Sequence, residues 1–126
     1  MKLNNIQAFN LYRWLDVPLH GSELRARNAF VKLIAPQYEA FTAIRKSKLE
    51  ELADKDEAGK PIIDAAGYKI SDENQKKFEE LLDQVTMYEK FKDAKVIEGI
   101  LNTKLSRGLG IEEGKIFEQV IAELSI

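Results

Sequence analysis

Residues 22–55 read as one amphipathic helix, and no other stretch of the chain restricts the fold as much. Apolar side chains step along it by three and four: Leu24, Val31, Ile34, Tyr38, Phe41, Leu49 and Leu52. In heptad terms Leu24, Val31, Tyr38, Arg45 and Leu52 share one position, and Arg27, Ile34, Phe41 and Lys48 share the other, which is the spacing of a helical seam. Pro18 and Gly21 isolate the start, Ser22 is the expected N-cap, and Glu23 suits the positive helix end. At 1.5 Å per residue such a rod is roughly 50 Å long. A compact domain of this size does not cover that length, so one end is expected to project or to meet another subunit. Pro36 removes a ladder bond at a cost of about 3 kcal/mol, yet the apolar phase crosses it without a slip. A kinked helix is therefore expected, with a clean break at Pro36 as the alternative.

Arg27 and Arg45 stand in the apolar stripe where the seam calls for leucine or valine. Each guanidinium either snorkels past the core or pairs with a carboxylate of a neighbouring helix, for which Glu79, Glu80 and Asp83 are available. Alternatively the two face an anionic ligand or a partner. If Arg27 only fills the seam, Arg27→Leu leaves stability unchanged or raises it.

The remaining segments supply what packs on the rod. Residues 4–16 form a first helix capped by Asn4 or Asn5, with Phe9, Tyr12 and Trp14 among its apolar residues on more than one side. Gly59 and Pro61 end the long helix, and residues 61–70 read as a small β-hairpin with Gly67 in its turn. A lone two-stranded ribbon is marginal in water, so it must lean on a helix or on another copy. Ser71 caps a third helix over 71–88, whose apolar side is Phe78, Leu81, Leu82, Val85 and Tyr88. A fourth follows over 93–105, where Gly99 permits close packing, then a corner at 106–110 and a last helix over 111–124. The expectation is one mainly α domain over 1–126: a helical bundle around one long kinked helix with the hairpin inserted.

The 126 residues suffice for a core without disulfides or metal. A net charge of −2 gives no general pull toward nucleic acid or anionic lipid, and neither is expected as a partner. Without cysteine there is no thiolate nucleophile, and His20 has no second histidine or carboxylate at ligand spacing. No serine elbow accompanies it either. The acids after Asp54 begin like a calcium loop but Ala58 and Ala65 occupy oxygen-donor positions. Gly108, Gly110 and Gly114 have the wrong spacing for a phosphate loop, and Glu112 and Glu113 would repel the anion. Arg45, Lys46 and Lys48 are followed at once by Glu50 and Glu51, as on a solvated face. No enzyme chemistry, metal or cofactor is expected. The N-terminus does not read as a signal peptide, and no run spans a bilayer.

The first helix, RARNAFVKLI, the DEAGKPI and GYKI hairpin strands, KFEELLDQV and VIEGIL together resemble a family of small proteins of tailed bacteriophages and prophages, mainly of Gram-positive hosts. The most recognisable points are Arg25, Arg27, Phe30, Gly59, Ile100 and Leu101, and Pro36 departs from the pattern. The family has no established activity, so the resemblance implies origin, in the host cytoplasm or the particle, and no mechanism. The expected function is a non-enzymatic, oligomeric interaction protein that binds a host or phage macromolecule. It would modulate host defence or host machinery, or assist virion assembly. The alternative is a binder of a small anion or nucleotide that uses the seam arginines. The candidate interaction residues are Arg25, Arg27, Tyr38, Arg45 and Tyr68.

Overall fold

The computed structural model describes residues 1–105 and 108–126. Its elements run β1 (Lys2–Asn4), α1 (Asn5–Trp14), α2 (Gly21–Leu52), β2 (Ile63–Asp64), β3 (Gly67–Tyr68), α3 (Asp72–Asp83), β4 (Val85–Met87), α4 (Ala94–Leu105) and α5 (Ile111–Leu124). The fold is mainly helical around one long helix, with the hairpin β2–β3 in place. Of the corner expected at 106–110, residues 106 and 107 lie outside the described residues.

α2 runs through Pro36 without interruption, so the alternative of a break is wrong. Its buried line is Ala26, Phe30, Ile34, Gln37 and Phe41, ending at Leu52. That line is turned slightly from the expected seam, since Phe30 and Gln37 take its centre while Leu24, Val31 and Tyr38 flank it half-buried. Two apolar clusters share the helix. Phe30 and Ile34 join Leu3, Leu11, Leu15, Ile97, Leu101 and Val120 in the larger one, where the edge of Trp14 also meets Phe117. Phe41 and Leu52 join Phe78 and Leu81 in the smaller one. Each half of the helix has its own core on one side, although none of residues 42–51 is buried. Gly99, expected at a close approach, faces open space.

Local chemistry fixes the element ends, and several differ from the sequence expectation. Asn4 caps α1 in a reciprocal box with Gln7: Gln7 N–H donates to Asn4 Oδ1 at 2.8 Å and Asn4 N–H to Gln7 Oε1 at 2.9 Å. α1 stops at Trp14, two residues short of the expected 16. α2 begins at Gly21, not Ser22, with His20 at the cap position but making no side-chain cap bond, and Gly21 has a positive φ of 57° that glycine tolerates. It ends at Leu52 rather than Lys55. Lys55 folds back, its ammonium donating to the carbonyls of Glu50, Glu51 and Ala53, and Asn74 Nδ2 donates to Leu52 O at 2.9 Å. The hairpin then rests on this helix end: Asp54 N–H donates to Lys69 O and Ile62 N–H to Asp54 O, both at 2.8 Å. Ser71 caps α3 as expected, accepting from Asn74 N–H at 3.2 Å. However, α3 ends at Asp83, not 88. Val85–Met87 is a strand that pairs antiparallel with Lys2–Asn4, matching Leu3 with Thr86. Val85 is consequently exposed instead of lining a helix seam.

One buried amide joins these parts. Gln37 lies between Ile34 of the larger cluster and Phe41 of the smaller. Its Nε2 donates to Leu3 O at 3.0 Å and to Asn5 Oδ1 at 3.2 Å, and its Oε1 accepts from the Tyr88 hydroxyl at 2.7 Å. Asn5 Nδ2 in turn donates to Leu81 O at 2.8 Å. Among the described residues no buried side-chain polar atom lacks a partner. Gln37→Leu strands a carbonyl, an amide oxygen and a hydroxyl together, and is expected to cost about 2–3 kcal/mol by urea denaturation. Burial also pushes the Tyr88 hydroxyl above the usual tyrosine pKa. The folded state therefore holds that proton longer than the unfolded chain does. Its contribution is complete below the unfolded pKa of about 10 and declines as pH rises through the folded value. The stability advantage of wild type over Tyr88→Phe should shrink as pH rises above about 10, measured by denaturation at each pH.

Candidate functional site

α1 presents Phe9, Tyr12 and Arg13 at helical spacing, and α2 presents Tyr38, Phe41 and Arg45 in the same manner. Where the helices meet, these six make an aromatic ladder. Tyr12 stacks on Tyr38 with centroids 3.9 Å apart and planes 9° from parallel. Tyr38 stacks on Phe9 at 5.7 Å, and Phe9 meets the edge of Phe41 at 5.7 Å. Arg13 and Arg45, both exposed, each hold a guanidinium carbon 5.3 Å from the Phe9 centroid. Phe9 thus carries two cations over one ring, a contact worth about 0.5–1 kcal/mol each at an exposed site.

Arg45 also forms a wall of a cleft of about 620 Å³ between α2, the hairpin and α3. Lys46 and Thr42 stand beside it, Tyr68 and Ile70 face it from the hairpin, and Leu49 and Phe78 are among the apolar lining. The Tyr68 hydroxyl donates to Glu50 Oε1 at 3.2 Å. Burial first, and then the adjacent Glu50 carboxylate, raise the Tyr68 pKa, so the phenol stays protonated at neutral pH. Lys46 has only a long surface pair to Glu50, at 4.0 Å. The arrangement offers an anion two cations above an apolar base, while the one proton of the Tyr68 phenol is donated to Glu50.

The five candidate residues fall in three places. Tyr38 and Arg45 belong to the ladder, and Arg45 and Tyr68 share the cleft. Arg25 is exposed in the first turns of α2, away from both. Arg27 is held in the α1–α2 connection, its Nη1 donating to Leu15 O at 2.6 Å and Val17 O at 2.9 Å, its Nε to Asn28 Oδ1 at 2.8 Å. It borders a separate cavity of about 410 Å³ with Tyr12, Asp16, Asn28 and Lys32. Among the described residues neither Arg27 nor Arg45 pairs with a carboxylate, so the acids of α3 do not answer them. Phe9, Tyr12 and Arg13 were not singled out by sequence reasoning except as helix content. The matched spacing of aromatic and arginine on two helices was the available signal.

Among the described residues no group of three or more His, Asp or Glu side chains is placed to hold a metal ion. No described helix is long and apolar enough to cross a membrane. No family model, no curated protein and no solved structure matches the chain.

The two seam arginines should separate cleanly on mutation. Arg27→Leu removes the donor of Val17 O and one of the two donors of Leu15 O, which keeps Val17 N–H at 2.9 Å, and is expected to destabilise by about 1–2 kcal/mol. This reverses the expectation for a mere seam filler. Arg45→Ala should change stability by less than about 1 kcal/mol. Parallel urea titrations of the two variants measure the difference.

Proposed function

We propose that this chain is a non-enzymatic interaction protein of phage type that binds a host or phage macromolecule and also self-associates. Its site of action is the host cytoplasm or the particle, as a modulator of host defence or machinery or as an aid to virion assembly. The binding face is the Arg45–Tyr68 cleft together with the aromatic ladder beside it. The observation that carries this reading is the pair of exposed arginines assembled over the ring of Phe9, with no carboxylate answering them among the described residues. Aromatic and arginine side chains held rigid at a surface are the composition of interaction hot spots, since little entropy is lost when a partner arrives. The occupant is an extended segment that places an apolar side chain against Leu49 and Phe78 and an acidic one at Arg45 and Lys46. The resemblance to phage proteins supports the origin.

A second reading has a specific observation in its favour. A cleft of about 620 Å³ lies within the range of small-molecule sites, and Arg45 with Lys46 suits the phosphate or carboxylate of a nucleotide-sized anion. Arg27 takes no part in it, because eighteen residues of α2 separate it from Arg45, about 27 Å along the helix.

A photo-crosslinking residue at position 68 distinguishes them. The expected result in a bacterial host lysate is a discrete protein adduct that Arg45→Glu abolishes. A nucleotide that raises the melting temperature by several degrees, and loses that effect in Arg45→Glu, supports the second reading. Neither an adduct nor stabilisation by any nucleotide or small dicarboxylate would remove the cleft as a binding site.

A further inference from the structure

α2 has two flanks. The one bearing Arg27, Tyr38 and Arg45 meets α1 and the cleft. The other bears Ala29, Leu33, Pro36, Ala40, Ala43 and Ile44, all exposed. At 3.6 residues per turn these fall in a single strip beside the buried line. Leu33 and Ile44 are 38% and 47% exposed, two of the large apolar residues that the chain leaves in water. The strand β4 leaves two further apolar side chains in water. Leu3 points into the core, so its cross-strand partner Thr86 does too, and Val85 and Met87 point outward, 51% and 71% exposed. The bond from Tyr88 to Gln37 holds the end of β4 against α2 at the middle of the strip.

The residues of this flank fall in complementary pairs about the level of residue 38. Counted from residue 38, Pro36 and Ala40 are equally distant, as are Leu33 and Ala43, Ala29 and Ser47, and finally Arg25 and Glu51. A two-fold axis at that level, on the flank away from the Tyr38 ring, therefore lays a large side chain over a small one. Leu33 meets Ala43, Pro36 meets Ala40, and Ile44 lies along the aliphatic stem of Lys32. Arg25 meets Glu51 at both ends, since a two-fold contact repeats every pair. A parallel arrangement would instead oppose arginine to arginine and glutamate to glutamate. Glu51 at present has only an exposed pair with Lys48 at 3.7 Å, which holds it weakly. Among the described residues Arg25 makes no ion pair.

We propose that a second copy of this chain docks antiparallel on this flank of α2, burying Leu33, Pro36, Ala40 and Ile44 and pairing Arg25 with Glu51 of the partner subunit. The proposal rests on the self-association in the reading above and supplies its surface. The charge order selects the antiparallel orientation, and the small residues at the centre let the two backbones approach. The cleft at Arg45 and Tyr68 is on the other flank and stays open in the dimer.

Sedimentation equilibrium over a concentration series tests this with the full chain. Wild type is expected to dimerise. Arg25→Glu and Glu51→Arg should each raise the dimer Kd about tenfold, while the two combined in one chain restore it close to wild type. Ala40→Arg is exposed and favours helix, so circular dichroism should not change, yet it should leave only monomer at the same concentration. A wild-type monomer at tens of micromolar overturns both this surface and self-association. A wild-type dimer indifferent to all these substitutions overturns the surface alone. Single variants that weaken the dimer without restoration in the double variant overturn the antiparallel pairing.

Discussion

The fold depends on one buried amide. Gln37 is the polar residue at the centre of the buried line of α2, and it stands where the larger and smaller apolar clusters meet. A leucine there would join the clusters by dispersion alone, which has no directional preference. The amide instead accepts from Tyr88 and donates to Leu3 and Asn5, so it fixes where β1 and the end of β4 cross the helix. Asn5 passes the constraint on to the end of α3 through Leu81 O. Buried networks in which every member is satisfied specify one arrangement, because each alternative strands a polar group in a medium that cannot solvate it. The short β1–β4 ribbon, marginal by itself, persists because this network and the burial of Leu3 hold it.

The sequence signals that proved reliable are those whose cause is local. Apolar spacing in α2, the cap at Ser71 and the glycine of the 63–68 hairpin each act within a few residues, and each is in place. What could not be read is whatever needs a partner far along the chain. Residues 85–87 continue the helical pattern of α3 by apolar spacing, yet they pair with residues 2–4 and become a strand. β-branched Val85 and Thr86 are weak helix formers, and a ladder to β1 supplies more backbone bonds than a frayed last turn does. The same reason hid the ladder: Phe9 and Tyr12 read as core, and only the crossing of α1 and α2 sets them under two arginines.

Arg27 and Arg45 occupy the same flank of one helix, but their surroundings give them different work. Arg27 lies near the end of α1, where helix carbonyls have no intrahelical donor and the backbone dipole presents its negative end. Nη1 donates to Leu15 O and Val17 O while Nε reaches Asn28 Oδ1, so two nitrogens of one plane serve three acceptors, a spread that the single nitrogen of a lysine does not offer. Three of its five N–H groups are spent there, two on the chain connection and one on Asn28. Arg45 has no helix end and no carboxylate within reach among the described residues, only the face of Phe9. A ring face attracts a cation without consuming its hydrogen-bond donors. Arg45 is thereby held in position with its N–H groups unspent.

That difference is the physical basis for placing recognition at the C-terminal half of α2. A binding group must be ordered before the partner arrives, or the entropy of ordering it is subtracted from affinity. It must also retain donors that the fold has not used. Arg27 meets the first condition but has given three of its five N–H groups to the fold and borders a different cavity, while Lys46, tied only at 4.0 Å, meets the second and fails the first. Arg45 meets both, because aromatic stacking orders it and leaves its fork open. The hairpin completes the site by setting Tyr68 opposite, with its hydroxyl anchored on Glu50. The opposite flank of α2 offers neither ring nor unspent cation at its centre, only apolar surface with charge at its ends, which suits a copy of itself rather than an anion.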